Sequence, residues 1–182
     1  MVIIVYDPWK IRLDFARILN IREKRVLDVG TGRGYMAIVL ARDYNCIVAS
    51  IDVNDQKLQT AAKLAGEHGV SEMIAFTQED ITTKTSFGNH GFDLVVALNT
   101  LHHMTEDQKV KCIEEMARLA RDAIVIGELN EKGARYFDEV AHPSENHEGL
   151  RVPVDWFEKY LGLKGLLEVI EGELINVYTC RL

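Results

Sequence analysis

What this chain lacks narrows its class before any motif is read. Its three cysteines, Cys46, Cys112 and Cys180, are scattered and odd in number. That excludes a disulfide framework and a paired-cysteine zinc site, and it points to reduced thiols in the cytoplasm. No apolar run approaches the roughly 20 residues that span a bilayer, so no membrane partner is expected. The opening Met1-Val2-Ile3-Ile4-Val5-Tyr6 has no basic leader and is cut short by Asp7-Pro8, and it does not read as a signal peptide. No basic block stands out either. Twenty-one Lys and Arg against 28 Asp and Glu give a net charge of −7, which argues against nucleic acid, because phosphate recognition leans on clustered cations. Repeats, low-complexity tracts and linkers are missing. The 182 residues, 47% hydrophobic and 27% charged, read as one globular domain with a sizeable core: residues 1–22 as an N-terminal strand and helix cap, 23–182 as the core.

The chain is organised around Val26-Leu27-Asp28-Val29-Gly30-Thr31-Gly32-Arg33-Gly34. The apolar, β-branched run predicts a buried strand. Three glycines on alternate positions follow, and Tyr35 to Ala41 predicts a mostly buried helix. Strand, glycine turn and helix start together bring free backbone N–H groups beside a surface that a ligand can approach closely. Asp28 is out of character, because an unpartnered carboxylate inside an apolar strand is costly. Its partner is expected to be a ligand. The glycine spacing is not the G-x-G-x-x-G of a dinucleotide-binding turn, because Gly34 comes one residue early and Tyr35 stands in the third glycine's place. The plain alternative is a structural turn with no ligand.

Further strands follow in alternation with helical segments. Cys46 to Ile51 predicts a second strand ending on Asp52, placed where an acidic residue bonds ribose hydroxyls; a carboxylate suits a diol because it accepts two hydrogen bonds. Asn54 caps the next helix. Met73–Thr77 predicts strand 3, Phe92–Asn99 strand 4 and Asp122–Glu128 strand 5, with a capping box at Thr105 to Gln108 between the last two. A helix over 130–140, a polar loop over 142–149, a short helix over 154–161 and a terminal hairpin turning at Glu171-Gly172 complete the chain. This order is that of a parallel α/β sheet. The segment Trp9–Asn20 has helical spacing and packs over the sheet, or else serves as a lid with Tyr6 and Trp9 near the pocket.

The D-x-G-x-G-x-G of Asp28, Gly30, Gly32 and Gly34 resembles the first motif of class I S-adenosylmethionine (SAM) dependent methyltransferases. The F-D-L-V-V run from Phe92 and the L-H-H of Leu101 to His103 resemble the fourth motif of that family. The resemblance covers residues 24–128 closely and the terminal hairpin more loosely. It implies a three-layer α/β/α sandwich on a mostly parallel seven-stranded sheet, with an antiparallel C-terminal hairpin strand beside strand 5. It also implies SAM as cofactor, bound by Asp28, Gly30, Thr31, Gly32, Gly34, Asp52, Val53, Asp80, Ile81 and Asn99. Within that set the resemblance gives Asp80 the adenine amino group, Ile81 the ring face, and Asn99 the methionine part and the incoming nucleophile. The family's N/D-P-P-Y/F motif is absent, because Asn99 is followed by Thr100-Leu101. That departure argues against amide or nucleobase methylation and favours a small-molecule acceptor, ahead of protein and then nucleic acid.

His102 and His103 sit where ligands bind in open α/β sheets and are candidates for a general base, against the plainer reading of loop residues that support the next helix. His142, Glu145, His147 and Glu148 read as a solvated, substrate-contacting loop rather than a metal site. The competing functions are a nicotinamide-dependent oxidoreductase, a SAM-binding subunit without catalysis, and a protein or RNA methyltransferase. Oligomeric state has no signal in the sequence.

Overall fold

The apolar run that opens the glycine motif forms β1 (Arg25–Val29), an interior strand of a seven-stranded sheet. β2 (Ile47–Asp52) and β3 (Ile74–Gln78) lie to one side, and β4 (Phe92–Leu98) and β5 (Ala120–Leu129) to the other. All five are parallel. β6 (Leu166–Glu171) and β7 (Ile175–Arg181) form a hairpin whose second strand pairs antiparallel with β5, so the order is β3-β2-β1-β4-β5-β7-β6. The computed structural model describes residues 7–19, 21–141 and 147–182, and the strand expected from the first residues, Tyr6 included, lies outside them.

Helices cover both faces. α1 (Pro8–Ile18), α2 (Tyr35–Tyr44) and α3 (Asp55–Glu67) bury Phe15, Met36 through Ala41, Ala61 and Ala65 against one face. α4 (Glu106–Leu119) and α7 (Val154–Leu161) bury Ile113, Met116 and Phe157 against the other. β4 is buried along its whole length, as a central strand with helices on both sides must be. The expected caps are in place: Asn54 accepts from the amides of Gln56 and Lys57, and Thr105 with Gln108 closes a reciprocal capping box. The helix expected over 130–140 divides into α5 (Glu131–Tyr136) and a π-helical turn at Phe137–Ala141, followed by the short α6 (His147–Leu150).

Function depends on one consequence of this order. The chain leaves β1 toward β2 and β3 and then returns to β4 on the opposite side of β1. The loops after β1 and β4 therefore part, and they open a crevice at the carboxyl edge.

Candidate functional site

That crevice is a cavity of about 600 Å³, well within the size of a small-molecule cleft. The ends of four strands meet there: Asp28 to Gly32 after β1, Asp52 and Val53 after β2, Glu79 to Thr82 after β3, and Leu98 to Thr100 after β4. Arg12 of α1, Tyr35 and Met36 of α2, His103, Met104 and Gln108 also line it.

Asp28 is 1% exposed. Register explains its surroundings, because Asp28 pairs with Ser50 across the parallel β1–β2 ladder and paired residues share a face. Ser50 Oγ donates to Asp28 Oδ2 at 2.7 Å and lies 2.7 Å from Thr31 Oγ1. The chain thus supplies a partner that the sequence reading left to a ligand. One hydroxyl does not offset the burial. Desolvation pushes the Asp28 carboxyl up to about 7, against smaller opposing effects from the Ser50 hydrogen bond and the Arg12 charge, with the Asp52 charge adding to the rise.

The turn after β1 differs from expectation in one respect. The amides of its three glycines and Thr31 are not free: Gly30 and Thr31 donate to the Ile51 carbonyl at 2.9 and 3.0 Å, Gly32 to Asp52 Oδ2 at 3.2 Å, and Gly34 to the Thr31 carbonyl at 2.8 Å. The loop therefore presents a shaped wall rather than a nest of donors. Gly30 has φ +83°, and a Cβ there would lie 2.5 Å from Thr100 Oγ1. Gly34 caps α2 at φ +84°, and its missing Cβ admits Ala61 of α3. Gly34 lies outside the cavity lining, and its missing Cβ packs α2 on α3.

Asp52 is held on both oxygens, Oδ2 by the Gly32 amide and Oδ1 by the Asn54 amide at 2.9 Å. A carboxylate has about four acceptor positions, so two remain for a diol. Asp80 accepts the amide and hydroxyl of Thr82 through Oδ1, at 2.8 and 2.7 Å. Ile81 is buried in the same apolar cluster as Val29 and Ile51, and Val53 is exposed at the cavity edge.

The loop after β4 carries the other wall. Asn99 adopts φ +52°, and its Oδ1 is the one buried side-chain oxygen without a hydrogen-bond partner among the described residues. Thr100 Oγ1 donates to the Val29 carbonyl at 3.1 Å, fastening this loop to β1. The two histidines separate. His103 lines the cavity. His102 is 5% exposed and outside the lining, with Nδ1 2.6 Å from Glu128 Oε2 and its ring 4.1 Å from that of His103. Of the two candidate bases, His103 stands on the cavity wall and His102 is buried against Glu128.

Several contributors escaped the sequence reading. Ser50 and Glu128 are visible only through the ladder and the sheet order. Arg12 reaches the cavity because Trp9, one turn earlier, docks α1 on α2 with its ring 4.7 Å from that of Tyr35. Trp9 itself packs and does not line the cavity. In the 142–149 loop, His147 is described, and it bonds Asp138 at 2.7 Å rather than facing the cavity; His142 and Glu145 lie outside the described residues.

Residues 26–123 match the family model described as Methyltransferase domain. Among curated relatives, 27-O-demethylrifamycin SV methyltransferase of Amycolatopsis mediterranei is 31% identical over 97 residues, 53% of this chain and 35% of that protein. Release factor glutamine methyltransferase of Flavobacterium psychrophilum is 38% identical over 82 residues, 44% of this chain and 28% of that protein. The chain thus spans less than half the length of the curated relatives it matches. The solved structure of a SAM-dependent methyltransferase from Aquifex aeolicus superposes with TM-score 0.74 over 96% of this chain and 93% of that one, at 19% identity, which shows a shared fold. With its glycine turn, its strand order and more than half its length matched, the chain belongs to the methyltransferase-domain family, the class I SAM-dependent methyltransferases, whose cofactor is S-adenosylmethionine.

Proposed function

We propose that this chain binds SAM in the cavity at the carboxyl edge and transfers its methyl group to a small-molecule acceptor. The supporting observation is the convergence of four acceptor side chains from four strand ends, Asp28, Asp52, Asp80 and Asn99, on one cavity. Their chemistry fits the cofactor. A buried carboxyl near neutrality and an orphaned amide oxygen suit an ammonium group, the anchored Asp52 carboxylate suits a ribose diol, and Asp80 beside buried Ile81 suits an aminopurine. Gly30, Thr31 and Gly32 form the wall against the cofactor, and Val53 the outer edge.

The cofactor, when bound, supplies a methyl group already activated on a sulfonium. The protein's own part is to orient and to exclude water. His103 takes a proton from an acceptor that arrives protonated, being the imidazole on the cavity wall. The described residues contain no group of three or more potential metal ligands, and none of their helices is long and apolar enough to cross a membrane. The three buried free cysteines support a reducing, cytoplasmic setting, and one domain covering 1–182 remains our reading.

A protein acceptor is the second reading, favoured by the glutamine methyltransferase among the relatives. Asn99-Thr100-Leu101 speaks against it, since the asparagine-proline-proline motif of amide methylation is missing. Calorimetry with SAM and S-adenosylhomocysteine tests the cofactor: sub-millimolar binding of both is expected, and binding of neither refutes the reading. Methyl-labelled SAM offered with a small-metabolite extract and, separately, with a protein fraction tests the acceptor, and label confined to protein reverses the order of the two readings.

A further inference from the structure

We propose that Glu128, which lies outside the cavity, is a positioning residue that sets the wall formed by the loop after β4; this rests on the cofactor reading above. Glu128 ends β5 next to β4 and is 2% exposed. Its Oε1 accepts the amides of Thr100 and Leu101 at 2.9 and 2.6 Å, and its Oε2 faces His102 Nδ1 at 2.6 Å. Three consecutive residues of one loop are thus held by a single carboxylate. Thr100 itself lines the cavity, and so do the two residues that flank them, Asn99 and His103.

The geometry makes this more than a buried pair. Asn99 sits at φ +52°, a conformation that persists only when the neighbouring backbone is over-determined. Glu128 supplies that constraint from one side, and the Thr100 hydroxyl on the Val29 carbonyl supplies it from the other. An ionised carboxylate only accepts, so His102 carries its proton on Nδ1. With His102 fixed in tautomer and orientation, the His103 ring 4.1 Å away has a fixed neighbour to rest on. Glu128 therefore controls where the Asn99 amide oxygen and the His103 imidazole stand relative to the β1 turn.

The test compares Glu128→Gln with Glu115→Gln. Glu115 is also a buried carboxylate that accepts a backbone amide, Thr85 N at 2.8 Å, but it lies away from the cavity. Glutamine at 128 keeps an oxygen for the two amides and sets an NH2 against His102 Nδ1, so the His102 proton moves to Nε2. Nitrogen-detected NMR of the imidazoles reads that change. Calorimetry with S-adenosylhomocysteine is expected to show roughly tenfold or greater weakening for Glu128→Gln. Glu115→Gln is expected to stay within about twofold of the parent while losing thermal stability. Equal affinities in the two variants, or an unchanged His102 tautomer, overturn the proposal. A parent protein that binds neither SAM nor S-adenosylhomocysteine overturns the cofactor reading and the positioning role together; a parent that binds beside an unaffected Glu128→Gln removes the positioning role alone.

Discussion

If Asp28 meets the ammonium group of SAM as proposed, it should couple folding, cofactor charge and pH through one side chain. Burial lifts its carboxyl from an ordinary 3.8 to about 7. At 1.36 kcal/mol for each unit, ionising it inside the ligand-free fold costs about 4 kcal/mol more than in the unfolded chain. The sign follows from the folded form holding the proton longer. Stability from this group is fully present below pH 3.8 and is lost as pH rises through 7, with no further loss above. A cation delivered next to Asp28 reverses the balance by pulling the carboxyl back toward ionisation. Binding of SAM should then release up to one proton below pH 7. The ionised fraction of a group titrating at 7 rises about 25-fold between pH 5.5 and 7.5, and affinity should rise by roughly that factor before levelling off.

Calorimetry across this range, repeated in buffers of different ionisation enthalpy, measures affinity and proton release together. The ligand's own amine titrates near 8, so Asp28→Asn is the necessary control: it keeps an oxygen for the Ser50 hydroxyl and lacks the titration. It should bind SAM more weakly at pH 7.5, show a flat profile over the acid range, and unfold at higher denaturant than the parent above pH 7. A parent with flat affinity and no buffer-dependent heat, or an Asp28→Asn variant with the parent's slope, refutes the reasoning.

The remaining predictions concern the cavity and its supports and, for Glu115, a buried carboxylate away from it. Gly30→Ala places a Cβ 2.5 Å from Thr100 Oγ1 at φ +83° and should lower stability by roughly 2–3 kcal/mol in urea melts, whereas a Cβ at Gly32 meets only the Gly30 carbonyl oxygen at 4.0 Å, so Gly32→Ala should lose SAM affinity out of proportion to its smaller stability loss. Asp52→Ala should weaken SAM binding by about 1–3 kcal/mol, and it should also lower the melting temperature because the Gly32 and Asn54 amides lose their acceptor. His103→Ala should reduce transfer with little change in thermal stability, while His102→Ala should destabilise the fold by about 2–3 kcal/mol by leaving Oε2 of buried Glu128 without its partner. The Arg118 hydrogen bond, with help from Thr85, holds the Glu115 carboxyl down at about 2; its contribution of up to about 3 kcal/mol is present above pH 4.5 and lost as pH falls toward 2, so urea midpoints should drop over that range in the parent and stay flatter in Glu115→Gln.

What the sequence made legible was local. The alternation of apolar runs and helical stretches predicted five parallel strands, because burial on both faces leaves a mark in a central strand, and the Glu171-Gly172 turn marked the closing hairpin. Asp52 is marked by the visible end of its strand, whereas Asp80, Ile81 and Asn99 are singled out by the family resemblance; all four line the cavity. Ser50 and Glu128 are marked by neither. Ser50 matters only because it stands across the ladder from Asp28, and Glu128 only because β5 lies beside β4. His102 and His103 show the limit most directly. They are adjacent and identical in type, yet the turn at Leu101–His103 sends one toward Glu128 and the other to the cavity.

The three glycines carry the same lesson into the motif itself. In the sequence they form one pattern with one expected purpose, close approach of a ligand to free amides. In the fold the amides at all three are already bonded within the chain, and what each glycine gives up is a Cβ in a different direction. At Gly30 the missing atom makes room for Thr100, and so for the loop after β4; at Gly34 it makes room for Ala61, and so for α3 on α2. Only at Gly32 is the space left unclaimed by the protein, with the Gly30 carbonyl oxygen 4.0 Å away. A motif recognised as a unit thus divides into one cavity-lining position that brings two strand ends together, one that packs two helices, and one that lines the cavity with room for a Cβ. Substitutions at the three should accordingly separate into loss of the wall, loss of helix packing and loss of ligand.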